Sequence, residues 1–464
     1  KSRLRSVDDY RMFSVLLLTL ALTAHCAPLI DERLHSDLDV NEFKEAMKEL
    51  GSEVMQEYSA PENMEETKDY PVNPSQIDEI EEVNKKAGLE DELFEGDIAF
   101  SEEQLKEIEE APTAAAKRQA VVNGGVAWGR TPIPFFFRNS TTEINNLFRK
   151  ATKFWESKTC VRFQENGAGA NKINVYNAGG CWSNVGKQSG ENSISLEPGC
   201  GTLSTVTHEI EHALGFFHEQ SRSDRDNYVT FKSGNVMPTA ASNFNKEVTN
   251  NLQVPYEYGS NMHYVAGAFS KNQQDTLVAR DPRYQNSMRG HMPSFYDVMK
   301  VNKFYGCDQN CRGRPISCQN NGVQDVNDCT KCLCPEGFGG RYCEGKPDVK
   351  CVVELKATSA QQTYNFQQST PSDPDTPEYC FYIITAPPNQ RVQLAFTYFG
   401  SGMATGCNTS GMEVKTMVDH RPRGFQSCGF KPNDTYTSER NRITIMAWKR
   451  KDQFVAGNFN YRAI

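Results

Sequence analysis

The cysteines are distributed very unevenly along the 464 residues. Of the fifteen cysteines, only Cys26 precedes residue 160, and seven fall between Cys307 and Cys343. Dense cysteines in a short stretch are typical of small extracellular modules whose cores are too small to be stable without disulfides. The spacing therefore predicts a disulfide-stapled module inside a longer, secreted chain, with room for roughly three domains.

The start of the sequence has the pattern of a secretory leader. Met12 is followed by the apolar run FSVLLLTLALTA, and basic residues precede it. That length suits the core of a signal peptide, although a buried helix would have a similar composition, and it is too short to span a bilayer. We therefore predict a signal-peptide region at residues 1–26, with translation starting at Met12 and cleavage after Cys26. The protein is expected to be secreted and extracellular.

A strongly acidic segment follows. Residues 27–118 hold 27 Asp and Glu against 9 Lys and Arg and contain no cysteine, whereas residues 119–464 carry a net charge of +7. Acidic blocks such as ENMEET are typical of solvated helix or disorder, and the pair Lys117-Arg118 is a natural processing site. The composition predicts a pro-segment at 27–118 that an activating protease removes by cleaving near Arg118. No basic stripe is interleaved with aromatic residues, so nothing favours nucleic-acid binding.

Three of the eight histidines lie close together, in the stretch HEIEHALGFFH. His208 and His212 are four residues apart, so on a helix beginning near Ser204 they share one face. Gly215 allows the positive φ that ends a helix and returns His218 toward the same point. Three imidazoles suit one Zn²⁺ ion and leave a coordination position open for water. The spacing therefore predicts one zinc site.

Two carboxylates lie between the first two histidines. Glu209 adjoins the first ligand and is the natural general base, which would take a proton from the zinc-bound water as that water attacks a peptide carbonyl. Glu211 lies on a flank of the same helix, and helix geometry alone does not exclude it. We assign the base to Glu209 because the residue after the first histidine has this role throughout the zincins.

Two stretches carry a family resemblance. HEIEHALGFFHEQSRSDRD at residues 208–226 resembles the signature of the astacin family of metzincin endopeptidases, and SNMHY at residues 260–264 is similar to its Met-turn. The resemblance implies that Met262 forms an apolar floor under the metal. It also implies that Tyr264 is an additional phenolic zinc ligand that swings away during turnover and hydrogen-bonds the developing oxyanion. Position 211 departs from the family pattern, which more often has Gly or Met there.

The pro-segment contains a further stretch of this kind. FEGD at residues 94–97 resembles the family's latency motif, which implies that Asp97 binds the zinc in place of water until the segment is removed. Family members carry a Trp near the start of the mature chain, and with Trp128 as the tenth residue the mature chain begins at Gln119. The resemblance implies that the new amine of Gln119 pairs with Glu219, provided that the glutamine does not cyclise.

Between Gln119 and Cys307, short β-rich runs such as IPFFF, KINVY and NSISL are mixed with helical stretches such as EINNLFRKATKFWESK. This pattern predicts an α+β domain that is large enough to have its own core. The family resemblance covers all of it and implies a two-lobed metzincin catalytic domain at 119–307 with an active-site helix. It also implies the disulfides Cys160–Cys307 and Cys181–Cys200, which spacing alone does not choose.

Residues 308–345 contain six cysteines, and the tail C-x-C-PEGFGG-x-x-C resembles an EGF-like module. A zinc ribbon is a competing interpretation of clustered cysteines, and the secretory leader and the absence of His in this stretch disfavour it. The resemblance implies that the six cysteines pair as Cys311–Cys329, Cys318–Cys332 and Cys334–Cys343.

Residues 348–464 contain alternating runs such as RVQLAFTYF and NRITIMAW between turn residues. This period-two patterning predicts an all-β sandwich. The region resembles a CUB domain, which implies the bridges Cys351–Cys380 and Cys407–Cys428 and a role in docking a substrate or partner. Triplets of the form N-x-S/T make Asn139, Asn408 and Asn433 candidate glycosylation sites in a secreted chain.

These features predict a secreted zinc endopeptidase, made as a latent pro-enzyme, that hydrolyses internal peptide bonds of extracellular proteins. Its layout is similar to that of secreted nematode astacins, and by that resemblance the substrates include matrix or cuticle proteins such as collagens. The alternative is a catalytically inactive extracellular binding protein that uses the EGF-like and CUB modules. Such a protein is expected to lose a metal ligand or the base, and here His208, Glu209, His212 and His218 are all present.

Overall fold

The computed structural model describes residues 78–101, 126–247, 249–368, 375–402, 405–429 and 434–464, together with residues 44, 47, 48, 51, 52, 55, 104, 106 and 373. The predicted signal-peptide region, the Lys117-Arg118 pair, Gln119 and Asn433 lie outside the described residues. In the part of the chain that is described, no helix is long and apolar enough to cross a membrane.

A five-stranded sheet forms the first half of the domain that ends near Cys307. Its strands are Ile133–Arg138 (β1), Phe163–Glu165 (β2), Lys172–Tyr176 (β3), Cys181–Ser183 (β4) and Glu191–Leu196 (β5), in the order β2-β1-β3-β5-β4. All neighbours are parallel except β4 and β5, so β4 is an antiparallel edge strand. The strands predicted from IPFFF, KINVY and NSISL are therefore confirmed.

Helices pack against this sheet to complete the core. The structure gives bounds for the helices Glu79–Lys86 (α1), Thr142–Lys158 (α2), Leu203–Ala213 (α3) and Phe295–Phe304 (α4). Helix α2 begins after Thr141, whose hydroxyl oxygen accepts a hydrogen bond from the backbone nitrogen of Ile144. The indole nitrogen of Trp155, fully buried, donates to the carbonyl oxygen of Thr207 at 3.3 Å and links α2 to α3.

The second half of this domain is mostly irregular chain. Its short strands are Val229–Phe231 (β6) and Leu277–Ala279 (β7), which pair antiparallel. An aromatic core separate from that of the sheet holds it together and includes Phe244, Tyr256 and Phe269. The disulfide Cys160–Cys307 joins the end of this half to the end of α2. Two cores in one domain fit the expected two-lobed α+β fold.

The next stretch, up to Cys351, is compact but has little regular structure. The short strands Val323–Gln324 (β8) and Cys332–Leu333 (β9) form its hairpin. Its few buried apolar side chains make a very small core, so covalent links supply most of the constraint. The disulfides within it are Cys311–Cys329, Cys318–Cys332 and Cys334–Cys343.

The C-terminal region is a sandwich of two antiparallel-rich sheets, as the alternating pattern predicts. Its strands are Cys351–Lys356 (β10), Gln362–Gln367 (β11), Glu378–Thr385 (β12), Val392–Ser401 (β13), Ser410–Lys415 (β14), Phe425–Ser427 (β15), Thr435–Thr437 (β16), Arg442–Lys449 (β17) and Val455–Ala463 (β18). The first sheet has the order β10-β12-β17-β14-β15 and the second β11-β18-β13-β16. The bridges Cys351–Cys380 and Cys407–Cys428 lie within the sandwich.

The sandwich packs directly against the first domain. Arg423 is buried, and its Nη2 donates to the carbonyl oxygen of Met292 at 3.0 Å while its backbone nitrogen donates to Oε2 of Glu257 at 2.9 Å. The ring of His291 stacks on the indole of Trp448 with 3.8 Å between centroids. Polar and aromatic contacts therefore fix the two parts against each other.

Candidate metal centre

Helix α3 presents two of the predicted ligands on one face. Thr202 caps its start, and its hydroxyl oxygen accepts a hydrogen bond from the backbone nitrogen of Thr205. His208 and His212 are one turn apart and fully buried. Gly215 has a φ of 105°, which favours glycine, and there the chain leaves the helical path and turns toward His218.

The three imidazoles converge on one point together with a carboxylate from the acidic segment. The Nε2 atoms of His208 and His212 are 3.1 Å apart. Asp97 lies among them, with its carboxylate oxygens 3.0 Å from Nε2 of His208 and 3.3 Å from Nε2 of both His212 and His218. All four side chains are buried, and one atom from each lies within 4.8 Å of the others.

The outer ring nitrogens fix the protonation of these histidines. Nδ1 of His208 lies 2.7 Å from the carbonyl oxygen of Asn261, and Nδ1 of His212 lies 2.7 Å from that of Phe216. Because a carbonyl oxygen can only accept, both Nδ1 atoms carry the proton and both Nε2 atoms present lone pairs. Burial also lowers the pKa of His208 to about 3, which keeps the ring neutral.

This arrangement fits a metal ion. Two lone pairs 3.1 Å apart repel each other unless a cation lies between them. Nε2 of His218 is buried and makes no hydrogen bond to any described residue, and the same holds for Oδ1 of Asp97. Three imidazoles that face one point, with their outer nitrogens held by hydrogen bonds, are the donor set of a zinc site. The three histidines can therefore hold Zn²⁺, with Asp97 at the remaining position.

The two carboxylates on α3 face different surroundings. Both are fully buried and make no hydrogen bonds to described residues. Burial raises the pKa of Glu209 well above its usual value, and the neighbouring charge of Asp97 raises it further. Burial likewise raises the pKa of Glu211, but the charges around it are Asp297 and Lys300. Of these two carboxylates, Glu209 is the one whose pKa is raised by the charge of Asp97, which lies among the three histidines.

The Met-turn residues lie beside the centre. Met262 is buried, and its carbonyl oxygen accepts from the backbone nitrogen of Glu219 at 2.7 Å. The ring of Tyr264 lies 4.7 Å from that of His218, centroid to centroid. Its hydroxyl donates to the carbonyl oxygen of Glu95 at 2.6 Å. In this form of the chain the phenol is therefore bound to the acidic segment.

Glu219 is surrounded by donors. Its Oε1 accepts from Nη1 of Arg222 at 3.1 Å and from the backbone nitrogen of Glu257 at 2.9 Å, and its Oε2 accepts from Nζ of Lys300 at 2.8 Å. The predicted partner, the amine of Gln119, is outside the described residues. Sequence reasoning missed Lys300, since an isolated lysine on an amphipathic helix carries no local signal of its partner.

Glu95 is a second site residue that the sequence did not reveal. It lies within FEGD, and its Oε2 is 2.7 Å from Nδ1 of His218, so it holds the third ligand as the carbonyls hold the other two. Its other oxygen accepts from the hydroxyl of Ser221. Its position two residues before Asp97 was the available signal, because a tight turn there returns both side chains to one place. Gly96, with a φ of 79°, makes that turn.

The acidic segment adds to the edge of the sheet. Ile98 pairs parallel with Ser183 of β4, and the backbone nitrogen of Ala99 donates to the carbonyl oxygen of Ser183 at 3.0 Å. The backbone nitrogen of Ser183 donates in turn to the carbonyl oxygen of Asp97 at 3.0 Å. Main-chain bonds thus align the segment along β4 and place Asp97 over the histidines.

The other sequence-predicted residues are placed as follows. The structure joins Cys181 at the start of β4 to Cys200, three residues before α3 begins. Asn139 is exposed at the end of β1. The side-chain nitrogen of Asn408 donates to Oε2 of Glu79 at 2.7 Å, which places it against the acidic segment.

Comparison with known proteins adds the family. The family model for Astacin (Peptidase family M12A) matches residues 121–306, and the model for the CUB domain matches residues 351–462. The chain is similar to zinc metalloproteinase nas-31 of Caenorhabditis elegans, at 34% identity over 390 residues that are 80% of this chain and 64% of that protein. It is also similar to high choriolytic enzyme 1, a hatching enzyme zinc-protease from Oryzias latipes, at 34% identity and a TM-score of 0.36 over 39% of this chain and 94% of that one.

Similarity to a second nematode protein extends over most of both chains. Zinc metalloproteinase nas-28 of Caenorhabditis elegans is 33% identical over 414 residues, which are 84% of this chain and 82% of that protein. The matched region includes the buried three-histidine centre described above. The chain therefore belongs to the astacin family of zinc metalloproteinases, peptidase family M12A, and carries a CUB domain.

Proposed function

We propose that the chain is a secreted zinc endopeptidase, made as a latent precursor, that hydrolyses internal peptide bonds of extracellular proteins. The observation that carries this proposal is the convergence of three Nε2 atoms beside the buried carboxylate of Glu209. Zn²⁺, when bound by His208, His212 and His218, supplies Lewis acidity toward a water and a peptide carbonyl.

Glu209 and Tyr264 supply the proton chemistry in this proposal. Glu209 takes a proton from the attacking water and passes it to the nitrogen of the leaving amine, which needs a carboxylate with a raised pKa in a dry site. Burial and the charge of Asp97 both raise its pKa here, and the second cause disappears when Asp97 leaves. Tyr264, once released from Glu95, donates its hydroxyl to the developing oxyanion.

The latency of the precursor follows from the same contacts. Asp97 occupies the position among the histidines that a water needs, and Glu95 holds both His218 and, through its carbonyl oxygen, Tyr264. Cleavage after Arg118 by an activating protease would release residues 27–118 and free all of these groups. The new amine of Gln119 would then join the charged cluster of Glu219 and Lys300, provided that it has not cyclised.

We further propose the domain order that the sequence suggests. It comprises a signal-peptide region at 1–26, a pro-segment at 27–118, a catalytic domain at 119–307, an EGF-like module at 308–345 and a CUB domain at 348–464. The three disulfides of the middle stretch support the EGF-like assignment. Matrix or cuticle proteins, including collagens, are the proposed substrates.

The test is a comparison of two variants on one helix. The chain is cleaved after Arg118, loaded with zinc, and assayed on a protein substrate with and without a chelator. Glu209→Gln should retain zinc and lose turnover by about 10³-fold, because the base is lost and the ligands remain. Glu211→Gln, the matched control, should retain turnover, since Glu211 faces Lys300 and Asp297.

The alternative, a catalytically inactive binding protein, makes the opposite prediction. In that case the parent chain, Glu209→Gln and the chelated protein would all leave the substrate intact. If instead Glu209→Gln cleaved as fast as the parent, the chain would be a peptidase with a different base, and the role assigned to Glu209 would be wrong.

A further inference from the structure

We propose that Arg289, Asn408 and Arg450 form a binding site for acidic peptide segments, here called the junction site, where the CUB domain meets the catalytic domain. The pro-segment occupies it in the precursor, and an acidic segment of a substrate takes its place in the mature protein. This inference rests on the proposed function, because only removal of the pro-segment opens the site.

The present occupant is the pair Asp78 and Glu79 at the start of α1. Oδ2 of Asp78 lies 2.9 Å from Nη1 of Arg289, and each side chain is only 7% exposed. Oε2 of Glu79 accepts from the side-chain nitrogen of Asn408 at 2.7 Å. Burial raises the pKa of Glu79, and the positive charge of Arg450 is the strongest influence in the other direction. Two adjacent carboxylates thus meet one residue of the catalytic domain and two of the CUB domain.

Close packing makes the two domains one site. A Cβ added at Gly406 would lie 3.1 Å from Cγ of Arg289, and Gly406 has a φ of 58°, where glycine is favoured. The neighbouring Cys407 is bridged to Cys428, which holds this loop in place. The backbone nitrogen of Arg450 donates to the carbonyl oxygen of Thr409 at 2.8 Å, so the loop and β17 are linked as well.

Several polar atoms of the junction site remain without a partner even with Glu79 in place. Nε and Nη2 of Arg450 and Oδ1 of Asn408 are buried and make no hydrogen bond to any described residue. Burial lowers the pKa of Arg450, because its positive charge is poorly solvated. The negative charges of Glu79 and Asp375 act in the opposite direction and offset part of this decrease. Buried donors of this kind are normally satisfied by a ligand or partner group.

Removal of the pro-segment takes away the negative charges that face the two arginines of the junction site. Asp78 and Glu79 leave together, and the guanidinium groups of Arg289 and Arg450 lose the two carboxylates that face them in the precursor. A pair of carboxylates from another segment can take the same positions and restore these contacts. Guanidinium groups bind carboxylates with directional, charge-assisted hydrogen bonds, so an acidic peptide is the ligand that fits.

The junction site adjoins the catalytic centre. Asp78, Arg289, Asp97 and Tyr264 all line one small cavity. A substrate that reaches the histidines can therefore place a nearby acidic pair in the junction site, and the CUB domain then contributes to the choice of substrate.

A binding measurement tests this without relying on turnover. The full chain carrying Glu209→Gln is cleaved after Arg118, separated from residues 27–118 and loaded with zinc. A labelled peptide of residues 78–86, DEIEEVNKK, is titrated with the protein and followed by fluorescence anisotropy. The peptide should bind, more weakly as salt is added, and the same peptide with Asp78→Asn and Glu79→Gln should bind about tenfold more weakly.

Variants of the CUB domain assign the effect to the junction site. Arg450→Gln removes one cation, and Asn408→Asp places a repelling charge beside the acidic pair, so each should weaken binding of the acidic peptide about five- to tenfold. Two variants are used because a buried arginine can be needed for folding, and zinc content reports whether each protein is folded. Arg462→Gln, an exposed arginine on β18, is the matched control and should bind as the parent does.

The outcomes separate this inference from the proposed function. If the neutral peptide binds as well as the acidic one, or if Asn408→Asp and Arg450→Gln bind as the parent does, the junction site is wrong even when the active protein cleaves substrates. If acidic binding is present but no form of the chain cleaves any protein, the junction site stands and the endopeptidase proposal falls. With an active protein, the ratio of kcat/KM for acidic over neutral peptides should fall in both variants.

Discussion

The ammonium nitrogen of Lys300 lies 2.8 Å from Oε2 of Glu219, the residue that follows His218, and both side chains are buried. The same ammonium group lies 2.9 Å from Oδ1 of Asp297. Burial opposes its charge, yet Asp297, Glu219 and Glu211 together hold the pKa of Lys300 well above its ordinary value. One cation therefore balances several buried carboxylates.

Replacement of Lys300 by an uncharged residue should strongly destabilise the fold. Lys300→Met keeps most of the side-chain volume but leaves Asp297 buried without its counter-charge and Glu219 with Arg222 alone, so we expect a loss of about 3–5 kcal/mol in the free energy of unfolding. Chemical denaturation of the zinc-loaded chain measures it. Lys303→Met, three residues further on the same helix and exposed, should change stability by less than about 0.5 kcal/mol. Equal stability of both variants would contradict the role given to Lys300.

Asp97 should keep the proposed precursor inactive. Asp97→Ala removes the carboxylate that lies among the three imidazoles and leaves that position to a water, so the uncleaved chain should show at least about tenfold higher peptidase activity than the parent precursor. Asp91→Ala, an exposed acidic residue of the same segment, serves as the control and should leave the precursor silent. Unchanged silence of Asp97→Ala would mean that the segment blocks the cleft only by its bulk.

Glycan occupancy should differ between two candidate sites. The side-chain nitrogen of Asn408, to which a glycan would be attached, lies 2.7 Å from Glu79, so a glycan there cannot coexist with the docked pro-segment. We expect mass spectrometry of the secreted precursor to find the peptide containing Asn408 unmodified, while Asn139, which is exposed, is accessible to modification. A glycan on Asn408 in a latent precursor would overturn the contact.

The free energy of unfolding should depend on pH through Glu257, whose carboxyl group accepts a hydrogen bond from the backbone nitrogen of Arg423 in the CUB domain. Burial is the main cause that raises the pKa of Glu257 to about 8, from an ordinary value of 4.5. The folded chain thus holds this proton more tightly than the unfolded chain, so the stabilisation is complete below about pH 4.5 and is lost as the pH rises through about 8. Glu257→Gln does not titrate. Between pH 5 and pH 8, unfolding experiments should show the parent losing about 3–4 kcal/mol relative to this variant, and parallel pH profiles would contradict it.

Patterns of adjacent residues predicted the histidines of the metal centre, but they did not predict the residues around it. The i, i+4 spacing of His208 and His212 is a property of one helix, and Gly215 needs only its own backbone freedom, so both could be inferred from adjacent residues. The alternating runs of the C-terminal region predicted its sandwich for the same reason. The family resemblance supplied Asp97, which spacing alone did not.

The contacts that join distant segments were outside the reach of such reasoning. Lys300 meets Glu219 across 81 residues of sequence, and Asn408 meets Glu79 across 329. No periodicity encodes these pairs, since each depends on how whole domains pack. Glu211 illustrates the difference, because its helical position was clear while the charges that separate it from Glu209 came from α4, which lies far along the chain.

The bridge between Cys181 and Cys200 has a mechanical consequence for the proposed activation. One end lies in the edge strand along which the acidic segment lies, and the other lies just ahead of the helix that carries His208 and His212. This covalent link fixes the distance between β4 and the start of α3. The distance stays the same whether or not the acidic segment lies along β4. Departure of the segment would then expose a preformed cleft between β4 and α3, and maturation would require no rearrangement of these two elements.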